Sequence, residues 1–260
     1  MVEALGELVN TGKLYLVGLG PGDAGNLTPA AAAAIADSDE LVGYHYYIEQ
    51  VAGEAAGKVS HAMELGQELE RAALAVDIAY SGKTVAVVSS GDAGIYGMAG
   101  PVFRVLTDRQ WNGHNPAVET VPGVSALQSA AALLGSPLMQ DFCAISLSNL
   151  LTPWEQIRRR LEAAAAGDFV TVLYNPRSRR RVSQLQEARD IYLAHRSSDT
   201  PVGIVRHAFR PEQAVSLAVL GGLDGERLGV DMFTTVVIGN SNTYVHNGRM
   251  VTPRGYEAKG

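Results

Sequence analysis

Three short segments combine glycine with residues able to bind or orient a ligand. Gly18-Leu19-Gly20-Pro21-Gly22-Asp23 closes the apolar run Lys13–Gly20. Glycines at the end of a buried strand let the backbone approach a ligand, and α/β sheets bind ligands at their strands' carboxyl ends. The segment lacks the third glycine of a dinucleotide fingerprint in its expected place, and no Gly-Lys-Ser/Thr follows to make a phosphate loop. The plainer reading is a tight turn that needs positive φ. Ser89-Ser90-Gly91-Asp92-Ala93-Gly94-Ile95-Tyr96-Gly97 ends a second apolar run. There Asp92 either caps the following helix or accepts hydrogen bonds from a ligand's hydroxyls or amine. Val121-Pro122-Gly123-Val124-Ser125-Ala126 forms a third such turn, in which Ser125 is a helix cap or a pocket residue and small side chains leave room for a flat ligand.

The elements that must position these segments read as an α/β chain. Lys13–Gly20, Glu40–Tyr44, Lys83–Ser89 and Ala117–Val121 are short apolar runs with strand character. Thr28-Pro29 opens an Ala-rich helix with Thr28 as cap and Pro29 in the first turn. Glu64–Tyr80 is amphipathic, with Leu65, Leu69, Ala72, Ala73, Val76 and Ala79 on one stripe, and a further helix ends near Arg104–Thr107. Strands alternating with helices and apolar on both faces predict a parallel sheet. The second half begins in the same way, with helices over Ser125–Leu134, Pro153–Ala166 and Val182–His195. Its strands fall over Phe142–Leu147, Phe169–Tyr174, Val202–Arg206 and Val215–Leu220. Thr235–Gly239 closes the core and a polar tail follows. The Pro122-Gly123 step divides the chain into an expected first domain, 10–122, and a second, 123–260.

Composition removes several classes. The 260 residues are 47% hydrophobic and 18% charged, which excludes disordered, collagen-like and disulfide-scaffold proteins. A net charge of -6 disfavours a nucleic-acid binder. Cys143 stands alone, so neither an internal disulfide nor a Cys-based metal site is expected, and six scattered histidines lack zinc-like spacing. Met1–Asn10 carries Glu3 and Glu7 without a basic start, which argues against a secretory leader, and no apolar run is long enough for a membrane span. A cytoplasmic location is expected.

Taken jointly, GLGPGD, SGDAGIYG about seventy residues on and VPGVSA about thirty further resemble the tetrapyrrole methylase family. The segments DFCAISLSNLLTPW (Asp141–Trp154), LYNPRSRRR (Leu173–Arg181), VGIVR, TTVVIGN and MVTPRGY resemble its branch acting on precorrin-3B in cobalamin biosynthesis. The likeness runs from about Lys13 to Tyr256. It implies an α/β, two-domain (class III methyltransferase) architecture with the active cleft between the domains, S-adenosylmethionine as cofactor and S-adenosylhomocysteine as its product. It also implies a homodimer and methylation of precorrin-3B at C17 with ring contraction. On the matching positions, the cofactor falls to Pro21, Ser90, Gly91, Asp92, Ile95, Ser125, Ala126, Asn175, Ala208, Thr234 and Thr235. Many relatives have Gly-Gly-Asp-Pro where Ser90-Gly91-Asp92-Ala93 stands here, Met in place of Asn175 and Gly in place of Ala208.

A substrate of this kind carries many carboxylates, which fork-shaped guanidinium groups match. Arg177, Arg179 and Arg180, in a run with Arg181, are therefore candidate substrate contacts, with a solvated helix start as the alternative. Arg158–Arg160, in mid-helix, reads as solvated surface. Tyr46, with Tyr44 and Tyr47, either flanks a flat macrocycle or fills the core. Ring contraction moves a proton, and His45, Asp92 and His207 are the candidate groups by type. Rival readings are a methylase of a cobalt-containing intermediate such as cobalt-factor III, an RNA or protein methyltransferase of the same fold, and a non-enzymatic tetrapyrrole carrier.

Overall fold

The computed structural model describes residues 11–256, so the residues preceding Thr11, the expected leaderless segment among them, and those after Tyr256 lie outside the described residues. The chain divides into two compact units, the first ending at Ser125 and the second starting at Ala126.

In the first unit, strands β1 (Lys13–Gly18), β2 (Glu40–Tyr44), β3 (Val59–Met63), β4 (Thr84–Ser89) and β5 (Ala117–Val121) form one sheet. Its order is β3-β2-β4-β1-β5 and every pairing is parallel. The helices are α1 (Pro29–Asp37), α2 (His45–Gln50), α3 (Glu68–Tyr80) and α4 (Ala99–Asp108). The period-2 alternation of a strand decides which residues meet which helix. Leu14 and Leu16 of β1 and Val85 and Val87 of β4 pack with α3 and α4. Tyr15, Val17, Ala86 and Val88 point the other way and pack with Ala31, Ala34 and Ile35 of α1. Thr28 caps α1 as its sequence predicts, Oγ1 accepting from Ala31 N–H at 3.1 Å. Adjacent strands β1 and β4 thus send their helices to opposite faces, which opens a crevice at their carboxyl ends.

The amphipathic stripe expected from Glu64 needs correction. α3 starts only at Glu68, and Leu65 and Leu69 are exposed. The buried face is instead Arg71, Ala72, Ala75, Val76 and Ala79.

The second unit comprises α5 (Ala126–Leu134), β6 (Gly135–Ser136), β7 (Phe142–Ser146), α6 (Trp154–Ala166), β8 (Val170–Tyr174), α7 (Gln184–Leu193), β9 (Pro201–Arg206), β10 (Ala214–Val219), β11 (Thr234–Ile238), β12 (Tyr244–His246) and β13 (Arg249–Val251). Its main sheet, β10-β9-β11-β8-β7, is mixed rather than parallel. Only β7 and β8 run parallel, while β8–β11, β11–β9 and β9–β10 are antiparallel. The reason is local: seven residues join β9 to β10, too few for the helical crossover a parallel neighbour requires. One face packs on α6 and α7 through Ile157, Leu161, Leu185 and Tyr192, and the other on α5 through Ala130 and Leu134. The polar tail is also structured. His246 and Arg249 pair across Asn247-Gly248, both at positive φ, and β13 joins β6 in a small third sheet.

Candidate active site

At the switch point between β1 and β4 the three glycine-bearing loops are knitted together by backbone. Gly20 and Gly91, at φ +74° and +68°, exchange hydrogen bonds: Gly20 N–H to Gly91 O at 3.0 Å and Gly91 N–H to Gly20 O at 2.7 Å. A β-carbon on Gly123 would lie 2.2 Å from Gly91 O, so only glycine permits the third loop to approach. Asp92 joins the same assembly. One carboxylate oxygen accepts from Gly94 N–H at 2.8 Å and the other from Gly123 N–H at 3.0 Å. It does not cap the next helix, as its sequence position allowed. α4 begins at Ala99, and there Ser89 Oγ accepts from Met98 N–H at 3.0 Å.

Around this centre, Ser90 Oγ lies 3.4 Å from Gly20 O, Ile95 and Tyr96 are exposed, and Ser125 is buried directly before α5. Below the first loop, Leu19, Gly22, Asp23 and Gln50 line a cavity of about 30 Å³, space for a single water.

His45 follows β2, at the same carboxyl edge of the sheet. Its Nδ1 lies 3.3 Å from Glu64 Oε1, just past the end of β3. The ring of Tyr44 tilts against it at 4.4 Å, while Tyr47 meets Tyr44 edge-on at 5.2 Å and Tyr46 at 6.5 Å. Tyr46 is half-buried. Glu64 and the buried Arg71 escaped the sequence reading. An arginine on the buried stripe of α3 was the available signal.

In the second unit, Asn175 follows β8 at φ +50° and donates from Nδ2 to Ser146 Oγ at 3.1 Å. The arginine run separates into different roles. Arg181 is buried, donating to Asn175 O at 3.1 Å, and burial lowers the hold of its guanidinium on the proton. Arg177 lies 3.4 Å from Glu226 and lines a 210 Å³ cleft with Asp224 and Glu226, a surrounding that suits a carboxylate-rich ligand poorly. Arg179 and Arg180 are exposed and make no hydrogen bond or ion pair to another described residue. On α6, Arg158 pairs with Glu155 and Glu162, as a solvated helix face would.

His207, at φ +49°, is buried and stacks on Phe233 with ring centres 4.6 Å apart. Burial, reinforced by the charge of Arg206, lowers its pKa and favours the neutral ring. Ala208 is the next residue. Thr234 and Thr235 open β11 and are buried. Thr234 Oγ1 donates to Asp231 at 2.9 Å and accepts from Asp231 N–H at 3.0 Å. Burial pushes the Asp231 carboxyl up, but the hydrogen bonds from Arg206, Phe233 N–H and Thr234 outweigh it and hold its pKa below the usual range. Among the described residues, no group of three or more His, Cys, Asp or Glu side chains is placed to hold a metal ion, and no helix is long and apolar enough to cross a membrane.

A parallel sheet with glycine loops at its switch point, followed by a mixed second unit, defines an α/β fold of the methylase type. Residues 13–224 match the tetrapyrrole (corrin/porphyrin) methylases, and the chain belongs to that family. It is 47% identical over 249 residues to the cobalt-factor III methyltransferase of Priestia megaterium, covering 95% of this chain and 46% of that one. The chain thus spans about half the length of that relative. It is 44% identical to a probable cobalt-factor III C(17)-methyltransferase of Salmonella typhimurium, covering 94% of this chain and 99% of that one. A precorrin-3B C(17)-methyltransferase of Sinorhizobium sp is 39% identical, with coverages of 95% and 98%. Among solved structures, the methyltransferase CobJ matches with a TM-score of 0.88 and 36% identity, covering 94% of this chain and 100% of that one.

Proposed function

We propose that this chain is an S-adenosylmethionine-dependent methyltransferase acting at C17 of a tetrapyrrole in cobalamin biosynthesis. The observation that carries the reading is the glycine-knitted switch point of β1 and β4, in a member of the tetrapyrrole methylases with near-full-length relatives named for C17 methylation. The residues there suit the cofactor chemically. Asp92 and the hydroxyls of Ser90 and Ser125 are acceptors for an amine and ribose hydroxyls, and the exposed Ile95 offers apolar surface to adenine. The family resemblance assigns the cofactor contacts to Pro21, Ser90, Gly91, Asp92, Ile95 and Ser125 and, in the second unit, to Ala126, Asn175, Ala208, Thr234 and Thr235. When bound, S-adenosylmethionine supplies a methyl group already activated on sulfonium.

The protein's own task is then alignment of that carbon with a nucleophilic ring carbon, and exclusion of water. Arg179 and Arg180, exposed and without a partner among the described residues, are the arginines best suited to meet substrate carboxylates, and Tyr46 to flank the ring. Precorrin-3B is the substrate that the sequence motifs favour. Cobalt-factor III is the second reading, favoured by the higher identity of the relatives that carry its name. Incubation with methyl-labelled S-adenosylmethionine and each tetrapyrrole tests both. Label is expected in one or both products, and the preferred substrate is the one with the higher kcat/KM. Failure to bind S-adenosylhomocysteine in calorimetry would overturn the reading in favour of a carrier.

A further inference from the structure

In the proposed function Asn175 meets the cofactor from the second unit, and an inference about what orients it rests on that reading. Asn175 follows β8 at φ +50°, a left-handed conformation that asparagine adopts more readily than other side-chain-bearing residues. Its amide nitrogen is already used. Nδ2 donates to Ser146 Oγ at 3.1 Å, and the same oxygen accepts from Ser148 N–H at 3.2 Å. The amide oxygen of Asn175 makes no hydrogen bond among the described residues, which leaves one acceptor at the end of β8.

We propose that Arg181 is a positioning residue: it fixes Asn175 so that this oxygen accepts a hydrogen bond from an N–H or O–H of bound S-adenosylmethionine. Arg181 is only 5% exposed and has no carboxylate partner among the described residues. A buried guanidinium without a counter-ion costs folding free energy. What this one secures is a pair of loops. Its Nε donates to the carbonyl of Asn175 at 3.1 Å, and its Nη2 reaches Met232 Sδ at 3.7 Å. Met232 lies two positions before Thr234, the first residue of β11, and β11 runs antiparallel to β8. The end of β8 and the start of β11 therefore share one edge of the sheet. A single rigid fork spans the segments that carry Asn175 and the Thr234-Thr235 pair.

The backbone of Arg181 is fixed as well. Ser178 N–H donates to Arg181 O at 3.0 Å and Arg181 N–H to Ser178 O at 3.2 Å, so the fork starts from a closed turn. The first unit repeats the device. Arg71, 3% exposed and likewise without a carboxylate partner among the described residues, donates to Glu64 O at 2.7 Å and to Met98 Sδ at 3.4 Å. It ties the turn after β3 to the loop that enters α4. Each unit thus uses one buried guanidinium to join two loops at the carboxyl edge of its strands.

The test measures S-adenosylhomocysteine affinity by calorimetry and stability by urea titration. It compares the unaltered chain with Asn175→Ala, Arg181→Met, Arg181→Lys and both double variants with Asn175→Ala. Leu161→Ala, in the core of the same unit, is the destabilised control. Asn175→Ala and Arg181→Met are each expected to raise Kd about tenfold. Arg181→Lys keeps the charge but not the fork, and should fall between Arg181→Met and the unaltered chain. With Asn175→Ala already present, Arg181→Met should raise Kd by less than about twofold more, because the amide it positions is gone. Leu161→Ala should lose stability and keep its affinity. With whichever tetrapyrrole the unaltered chain methylates, Arg181→Met should raise KM for S-adenosylmethionine and leave KM for the tetrapyrrole within about twofold. Equal losses of affinity from Arg181→Met with and without the Asn175 side chain would overturn the inference alone. So would an Asn175→Ala affinity equal to that of the unaltered chain. Should Arg181→Met fail to fold, the cycle with Arg181→Lys decides by the same criterion. Failure of the unaltered chain to bind S-adenosylhomocysteine would overturn the parent reading and this inference with it.

Discussion

Asp92 looks in the sequence like a residue waiting for a ligand, yet its carboxylate already holds Gly94 and Gly123. Its contribution to a cofactor site is first to fix the loops and only then to touch what they bind. Asp92→Asn tests this, because an amide presents one acceptor and one donor. Either Gly94 or Gly123 is then left with its N–H facing another N–H. The expected cost is about 1–3 kcal/mol of stability, read from denaturant midpoints, together with weaker S-adenosylhomocysteine binding in calorimetry. An unchanged midpoint with unchanged affinity would refute the assignment. At this scale the sequence showed residue types well and partners poorly. Gly123 lies 31 positions from Asp92, and no local pattern links them. Arg181 makes the same point. It belongs to a run of four apparently equivalent basic positions, but folding buries it and leaves Arg179 and Arg180 in solvent.

Strands β2, β3 and β4 are tied together by one buried carboxylate. Glu40, opening β2, accepts from His61 Nε2 on β3 at 2.6 Å and from Lys83, the residue before β4. The hydrogen bond from Lys83, then that from His61, lowers the Glu40 pKa against the opposing effect of burial. A carboxyl lowered in the folded state adds stability above its unfolded value of about 4.3 and loses it as pH falls through the folded value. Glu40→Gln should therefore destabilise the protein by about 1–3 kcal/mol at pH 7 and by much less near pH 3, in urea titrations at each pH. A pH-independent difference would contradict the linkage. The strands themselves were legible, because continuous apolar runs bounded by glycine are local signals. β3 was not: its residues are largely exposed at the sheet edge, so no apolar pattern marks it. The direction of β9, β10 and β11 was hidden for another reason. Apolar content reports burial, whereas direction depends on the length and path of connections.

Each unit of the molecule contains its own hydrophobic clusters on both faces of its own main sheet. Leu161, fully buried between α6 and the second sheet, is a probe of that division. Leu161→Ala should cost about 2–5 kcal/mol and lower the calorimetric transition of the second unit, leaving the first unit's transition in place. A single transition shifted as a whole would show that the units unfold as one. The net charge of -6 is likewise a sum that conceals its parts: solvent-facing Arg179 and Arg180 lie within an acidic chain. By itself the sequence determined the α/β class, most of the strands and helices, the cap at Thr28 and the glycine turns at strand ends. These depend on neighbours within a turn or two. Only the tertiary structure decided that Asp92 clasps Gly123, that Arg71 holds the turn of Glu64 against His45, that the second sheet is mixed and that the tail returns to pair with β6. Those features join residues distant in the chain, and pairing at a distance follows from packing, on which composition and periodicity are silent.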